Sequence, residues 1–148
     1  MSNHTTVLSW KRTTTDFQYA TYVRDHALTF GTGRAIEVSS APEYKGNPSL
    51  PNPEELLVGA LSSCHMLTFL AVAARDGLVV DSYDDAALGV LEKNESGRLA
   101  VTHVTLRPKV TFAGSQPDAE KVRQLHDVSH KGCFIAQSVK TVVTVEMA

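Results

Sequence analysis

The sequence predicts an α+β fold in which antiparallel strands pack around one long, buried central helix. Three features carry that expectation. Leu56 to Ala74 contains no Asp, Glu, Lys or Arg, the pattern of a helix that is apolar on all sides. Ahead of it, residues 5–12 and 18–30 are rich in Thr, Tyr, Val and Phe and alternate as strands do. After it, two alternating stretches flank the turn sequence Asn94-Glu95-Ser96-Gly97. With 148 residues the chain fits a single domain, 1–148, large enough to bury a core without disulfide or metal.

The elements follow in order. The two N-terminal stretches and Arg34–Ser39, separated by the turn Gly31-Thr32-Gly33, form a three-stranded meander. Ala41–Asn52 contains Pro42, Pro48 and Pro51 and reads as a loop. Asn52 then offers a helix cap, Pro53 suits the first helical position, and Glu54 and Glu55 favour the positive end of the dipole. Asn52 and Glu55 also have capping-box spacing. The helix runs to about Asp76, where Gly77 stops it. Residues 79–92 and 98–112 form a hairpin. A second helix starts at Pro117 with an apolar stripe of Val122, Leu125 and Val128–Ser129, and ends near Lys131-Gly132. Residues 133–139 make a short apolar turn or helix, and 141–147 a last strand.

Composition removes several function classes. Lys and Arg total 14 against 16 Asp and Glu, a formal charge of −2. Nucleic acid is therefore not the expected partner, because phosphate binding needs a clustered basic excess. Two cysteines are too few for a secreted disulfide scaffold. The polar start Met1-Ser2-Asn3-His4-Thr5 lacks the basic-then-apolar pattern of a signal peptide, so a cytoplasmic location is expected. Leu56–Ala74 is long enough to span a bilayer. Ser62-Ser63-Cys64-His65 would then sit at mid-depth, where polar groups are costly. A buried helix with no membrane partner is the expectation.

Cys64 and Cys133 each read, taken singly, as small core residues. Both fall in apolar segments, so a meeting inside the molecule is open, although spacing alone cannot show it. His65 beside Cys64, and His126 and His130 four apart on one helix, invite a metal reading. No standard ligand spacing is complete, so no metal is expected. Arg24 lies in Tyr22–His26, which reads as strand. It is either an arginine paired with Asp25 or a guanidinium that lowers a thiol pKa. The helix dipole alone explains Glu54. Walker, GxGxxG and GxSxG patterns do not occur.

Asn52-Pro53-Glu54-Glu55-Leu56-Leu57, followed by Ala60-Leu61-Ser62-Ser63-Cys64-His65-Met66, resembles the signature of the OsmC/Ohr family of osmotically inducible and organic-hydroperoxide-resistance thiol peroxidases. The resemblance spans nearly the whole chain and includes a second cysteine near the C-terminus. It implies an intertwined homodimer with two long helices at its core and active sites at the subunit interface. It places the peroxidatic cysteine on Cys64, the resolving cysteine on Cys133 and the family glutamate on Glu54. The family arginine falls on Arg24, with Arg34 as the fallback. The implied substrates are organic hydroperoxides, with hydrogen peroxide left open, and the implied reductant is a dithiol, for instance of lipoyl type. Neither metal nor flavin is required. His65 stands where the family often has an aromatic residue, and Phe134 where proline is common.

A helical rise of about 1.5 Å per residue separates Glu54 from Cys64 by roughly 15 Å. Contact within one chain is thus excluded if the helix is continuous. Two antiparallel copies crossing near Gly59, where Gly59 and Ser63 permit close approach, would bring Glu54 of one level with Cys64 of the other. Leu61, Met66, Phe69 and Phe134 are candidate walls of an apolar substrate site. A non-enzymatic binder of a small apolar ligand, or a redox sensor without turnover, remains the alternative on the same fold.

Overall fold

The computed structural model describes residues 1–147 as two compact units, Met1–Leu56 and the residues from Leu57 onward. In the first, β1 (Thr6–Ser9), β2 (His26–Phe30) and β3 (Ala35–Val38) form an antiparallel sheet in the order β1-β2-β3. Thr6 stands opposite Phe30, and His26 opposite Val38. Gly33, at φ 82°, closes the β2–β3 turn by donating to Phe30 O, a conformation only glycine adopts freely.

The strand expected over residues 18–30 is shorter than predicted, because residues 18–25 are turn and coil. Local bonds compete with the ladder there. The Arg12 guanidinium donates to the carbonyls of Thr14 and Thr15, the Thr21 hydroxyl to Asp16, and the amides of Thr21 and Tyr22 to Gln18 O. Trp10, Phe17 and Tyr22 pack on one another, with centroids 5.2–6.5 Å apart, instead of alternating across a sheet. Arg24 therefore precedes β2 and lies in no strand. The proline-rich loop holds one 3₁₀ turn, Pro42–Tyr44.

The helix α1 spans Pro53–Arg75. Its capping box forms as expected: the Glu55 amide donates to Asn52 Oδ1 at 2.9 Å, and the Asn52 amide to Glu55 Oε2 at 3.0 Å. Beyond it come β4 (Val80–Asp85), β5 (Leu88–Lys93), β6 (Leu99–Leu106), β7 (Pro108–Phe112), α2 (Ala119–Gly132), α3 (Phe134–Ser138) and β8 (Val142–Val145). The expected turn at Asn94–Gly97 is present, with Asn94 N donating to Arg98 O. Each long arm of that hairpin is broken, however, so β4 pairs with β7 in one sheet and β5-β6-β8 form another. Pro108 cannot donate to a ladder, and the neighbouring Arg107 amide is taken by Asp85 Oδ1 at 2.6 Å. The strand β8 runs parallel to β6, a pairing that needs a long crossover, here supplied by β7, α2 and α3. All other described pairs are antiparallel.

One face of α1, through Leu61, His65, Phe69, Val72 and Ala73, is buried. Phe69, Val72 and Ala73 join Phe112 and Leu125 in one apolar cluster, while Leu61 packs with Val104 and Leu106 in another. The opposite face carries Gly59, Ala60, Ser63, Leu67, Ala71 and Ala74, all exposed. The all-round burial expected of this helix is thus met on one side only within a single chain. By length and composition α1 is long and apolar enough to cross a membrane, its most apolar 18 residues having a mean hydropathy of 1.9. Its polar residues are nevertheless tied to the fold, Ser62 donating to Asp85 at 2.5 Å and His65 bonding His126.

Candidate functional site

Cys64 sits midway along α1, half-buried, and Cys133 is fully buried at the junction of α2 and α3. Cys133 serves both helices. Its amide caps α2 by donating to His130 O, and its sulfur accepts the Ala136 amide at 3.4 Å as the cap of α3. The end of α2 lies close to α1, since a Cβ on Gly132 would come within 3.1 Å of the Thr68 methyl. Thr68 is one turn beyond Cys64 and donates to its carbonyl at 2.9 Å. This packing brings the two thiols near each other. Burial pushes the Cys133 thiol pKa up, and its hydrogen bond with Cys64 raises it further. Cys133 consequently holds its proton at neutral pH. Both cysteines are free thiols. Their meeting is the feature that spacing left open.

Glu54 lies in the first turn of α1. The helix is continuous to Arg75, so the roughly 15 Å between Glu54 and Cys64 stands. In the N-terminal unit Arg24 is 9% exposed, with its Cζ 3.9 Å above the Tyr22 ring and 5.0 Å from that of Tyr19. Its guanidinium donates to Tyr22 O at 2.8 Å and Tyr19 O at 2.7 Å. The partner considered for it, Asp25, instead accepts from the Asn47 side chain at 3.0 Å. Trp10, Phe17, Tyr22 and Arg24 line an open pocket of about 360 Å³. Arg34 is exposed at the β2–β3 turn, which leaves Arg24 as the arginine held in a built environment.

Two of the expected apolar walls are displaced. Leu61 and Phe69 are fully buried in separate core clusters, because they fall on the inward face of α1. Met66 is half-buried and Phe134 is 80% exposed.

The histidines hold what the sequence did not disclose. His65 and His126 are both buried and share a hydrogen bond, Nε2 to Nδ1, of 3.0 Å. Burial, followed by the neighbouring His126 and His130, brings the His65 pKa down to about 4, and burial lowers that of His126. The Tyr83 hydroxyl is buried without a partner, and burial raises its pKa. Among the described residues no group of three or more His, Cys, Asp or Glu is arranged to hold a metal ion. The available signal was the period of α2: His126 follows Val122 by four and precedes Ser129 by three, on the side that becomes the core.

Comparison with known proteins shows what the chain as a whole is similar to. An OsmC-like protein of unknown function from Vibrio cholerae is 42% identical, covers 100% of both chains and superposes with a TM-score of 0.95. The organic hydroperoxide resistance protein OhrB of Bacillus subtilis shares the fold at 18% identity, covering 99% of this chain and 98% of its own, with a TM-score of 0.72. The uncharacterized protein YmaD of Bacillus subtilis is 24% identical over 127 residues, 84% of each chain. The family model described as OsmC-like protein matches residues 46–148, a span that contains Glu54 and both cysteines. On the strength of that match and of the Vibrio relative, the chain belongs to the OsmC-like family.

Proposed function

We propose that this protein is a two-cysteine thiol peroxidase that reduces organic hydroperoxides. The observation that carries the reading is the contact between a half-buried Cys64 and a buried Cys133 that keeps its proton. One thiol is accessible to substrate, and the other is protected until needed. The Cys64 thiolate attacks the O–O bond, which breaks to give Cys64 sulfenic acid and, after protonation, an alcohol. Cys133 then attacks the sulfenic sulfur; the S–S bond forms, the S–O bond breaks and water leaves. A dithiol of lipoyl or similar type restores both thiols by exchange.

An ordinary thiol, pKa about 8.5, is only slightly ionised at neutral pH, so a cation is needed at Cys64. We assign that role to Arg24, whose guanidinium has no carboxylate partner within its own unit, and its orientation to Glu54. Glu54 cannot reach the cysteine of its own helix. The working unit in this reading is therefore a homodimer, assembled through the uncovered face of α1. The half-buried Met66 and exposed Phe134 are the apolar contacts available to a bulky hydroperoxide.

The test is peptide mass spectrometry of reduced protein after one equivalent of cumene hydroperoxide, with peroxide loss followed in parallel. A Cys64–Cys133 disulfide matching the peroxide consumed, and absent in Cys64→Ser, is expected. Unmodified thiols with the peroxide intact would refute the enzyme and favour a binding protein. A disulfide that dithiols fail to recycle would favour a sensor.

A further inference from the structure

The strand β7 and the helix α2 line a cleft of about 250 Å³ that lies wholly within the second compact unit. Val110, Phe112 and Val122 give it apolar walls, and Lys109, Gln116 and His126 are its polar side chains. Neither cysteine lines it, nor do Glu54 and Arg24. His126 is the one buried polar residue of the lining, 3% exposed, whereas Lys109 and Gln116 are exposed. Its ring is held from behind. Nδ1 lies 3.0 Å from Nε2 of His65, with the two rings inclined by 8°, and the Phe69 ring packs on it at 4.5 Å. The other nitrogen, Nε2, makes no hydrogen bond among the described residues, yet it is not sealed in the core as His65 Nδ1 is. With one nitrogen tied to α1, the ring presents the other to the cleft.

The hydrogen bond between the imidazoles holds a single proton, and the burial of His65 decides whose it is. If His126 supplied it, His65 would carry its own proton at Nδ1, which is buried without a partner. A buried N–H with nothing to receive it is the rarer and costlier orphan. His65 Nε2–H therefore donates to His126 Nδ1, and His126 carries its proton at Nε2. Burial lowers the pKa of both rings, so both are neutral at pH 7. The cleft thus receives a neutral N–H donor from its floor and a positive charge from Lys109. The Gln116 side-chain amide is committed to Phe112 O at 3.2 Å. No carboxylate lines the cleft. Of the two acidic residues that act on His126, Asp127 is exposed on α2, and Asp85 already accepts from Ser62 and Arg107.

We propose that this cleft binds a small monocarboxylic acid with an apolar body. Its carboxylate accepts from His126 Nε2–H and pairs with the Lys109 ammonium, and its body lies against Phe112, Val110 and Val122. The lining offers donors, a cation and apolar surface, and a carboxylate on a hydrocarbon group is the complement of all three. In a cleft of about 250 Å³ one small molecule touches both polar groups. At about 30 Å³ for each displaced water, that space suits a body of roughly ten non-hydrogen atoms. The site is separate from the thiols and stands whether or not the protein is a peroxidase.

The test uses full-length, reduced protein labelled with nitrogen-15 and begins with the wild type, so that no variant has to fold. The imidazole nitrogen shifts of His126 should show the proton at Nε2; a proton at Nδ1 would turn an acceptor toward the cleft and overturn the proposal. Phenylacetate is then titrated to about 10 mM, the range in which a fragment of this size binds, against phenylacetamide, its neutral counterpart of the same shape. Phenylacetate should move the signals of His126, Gln116 and Val122, and phenylacetamide should bind about 10-fold more weakly, since charge-assisted bonds are the stronger kind. Lys109→Gln, a change at an exposed position, should bring the acid down toward the amide. Equal binding of acid and amide overturns the carboxylate assignment, and so does a Lys109→Gln variant with wild-type affinity. Absence of any shift, or shifts confined to Cys64 and Met66, overturns the site itself.

Discussion

His65 makes stability depend on pH in a definite direction. Its folded pKa, about 4, lies below the ordinary value of 6.5. Between those values the unfolded chain binds a proton that the folded chain refuses. The contribution is therefore complete above about pH 6.5 and is lost as pH falls toward 4. Its size is about 3 kcal/mol, at roughly 1.4 kcal/mol per pH unit, and His126 acts in the same direction. Urea unfolding at pH 7, 6, 5 and 4.5 should show this fall, and His65→Gln should flatten it; an unchanged slope would mean that other groups govern acid sensitivity. Cys133 gives a second prediction at this scale. Cys133→Ser should consume the first equivalent of hydroperoxide and then accumulate sulfinic and sulfonic acid on Cys64 under excess peroxide, because nothing intercepts the sulfenic acid. Survival of Cys64 under excess peroxide would argue that another group resolves it. The cysteines were legible in the sequence through their motif, whereas the imidazole pair was not. Two histidines 61 residues apart meet only because α2 docks on α1; of the stripe read from α2, Val122, Leu125 and Ser129 face inward and Val128 does not. Val128 is 50% exposed while His126 is 3% exposed, so the side expected to be apolar surface contact is solvent, and the histidine takes the core place.

At the scale of elements, local chemistry was readable where the partner atoms are near in sequence. The α1 capping box is a three-residue affair, and both of its hydrogen bonds form. Asn52→Ala should cost about 1 kcal/mol of stability, measured by chemical denaturation, with Asn52→Asp retaining most of it; equal losses in the two would show that the cap is not the cause. The β5–β6 turn was legible for the same reason. The division of the hairpin into two sheets was not. It depends on Asp85 accepting from both Ser62 and Arg107, contacts that link α1, β4 and the start of β7 across 22 and 23 residues. No periodicity records such a bond. The N-terminal strand was over-extended for the opposite reason: the aromatic residues that suggest a strand pack on one another in a local cluster, and side-chain bonds to nearby carbonyls satisfy the backbone without a neighbouring strand.

At the scale of the whole molecule, the two faces of α1 point to assembly. The inward face is fully accounted for by the apolar clusters and by the bonds of Ser62 and His65. The outward face, Gly59, Ala60, Ser63, Leu67 and Ala71, is exposed along more than three turns. Water does not favour such a largely apolar strip. The residues are mostly small, which suits close backbone approach by a like helix. If a second copy packs there antiparallel, the crossing falls midway between Glu54 and Cys64, at Gly59, and each thiol gains the other chain's glutamate. Gly59→Leu tests this cleanly, because a Cβ at Gly59 meets nothing within 4 Å inside its own chain. The fold of one chain has room for the new side chain, whereas a helix crossing at that point does not. Sedimentation equilibrium should show the wild type as a dimer and Gly59→Leu as a monomer with unchanged secondary structure. Peroxide reduction should fall together with the dimer, since Glu54 would lose the only thiol it can reach. A variant that stays dimeric would move the interface elsewhere. A monomer that keeps full activity would leave the interface in place but remove Glu54 from the chemistry.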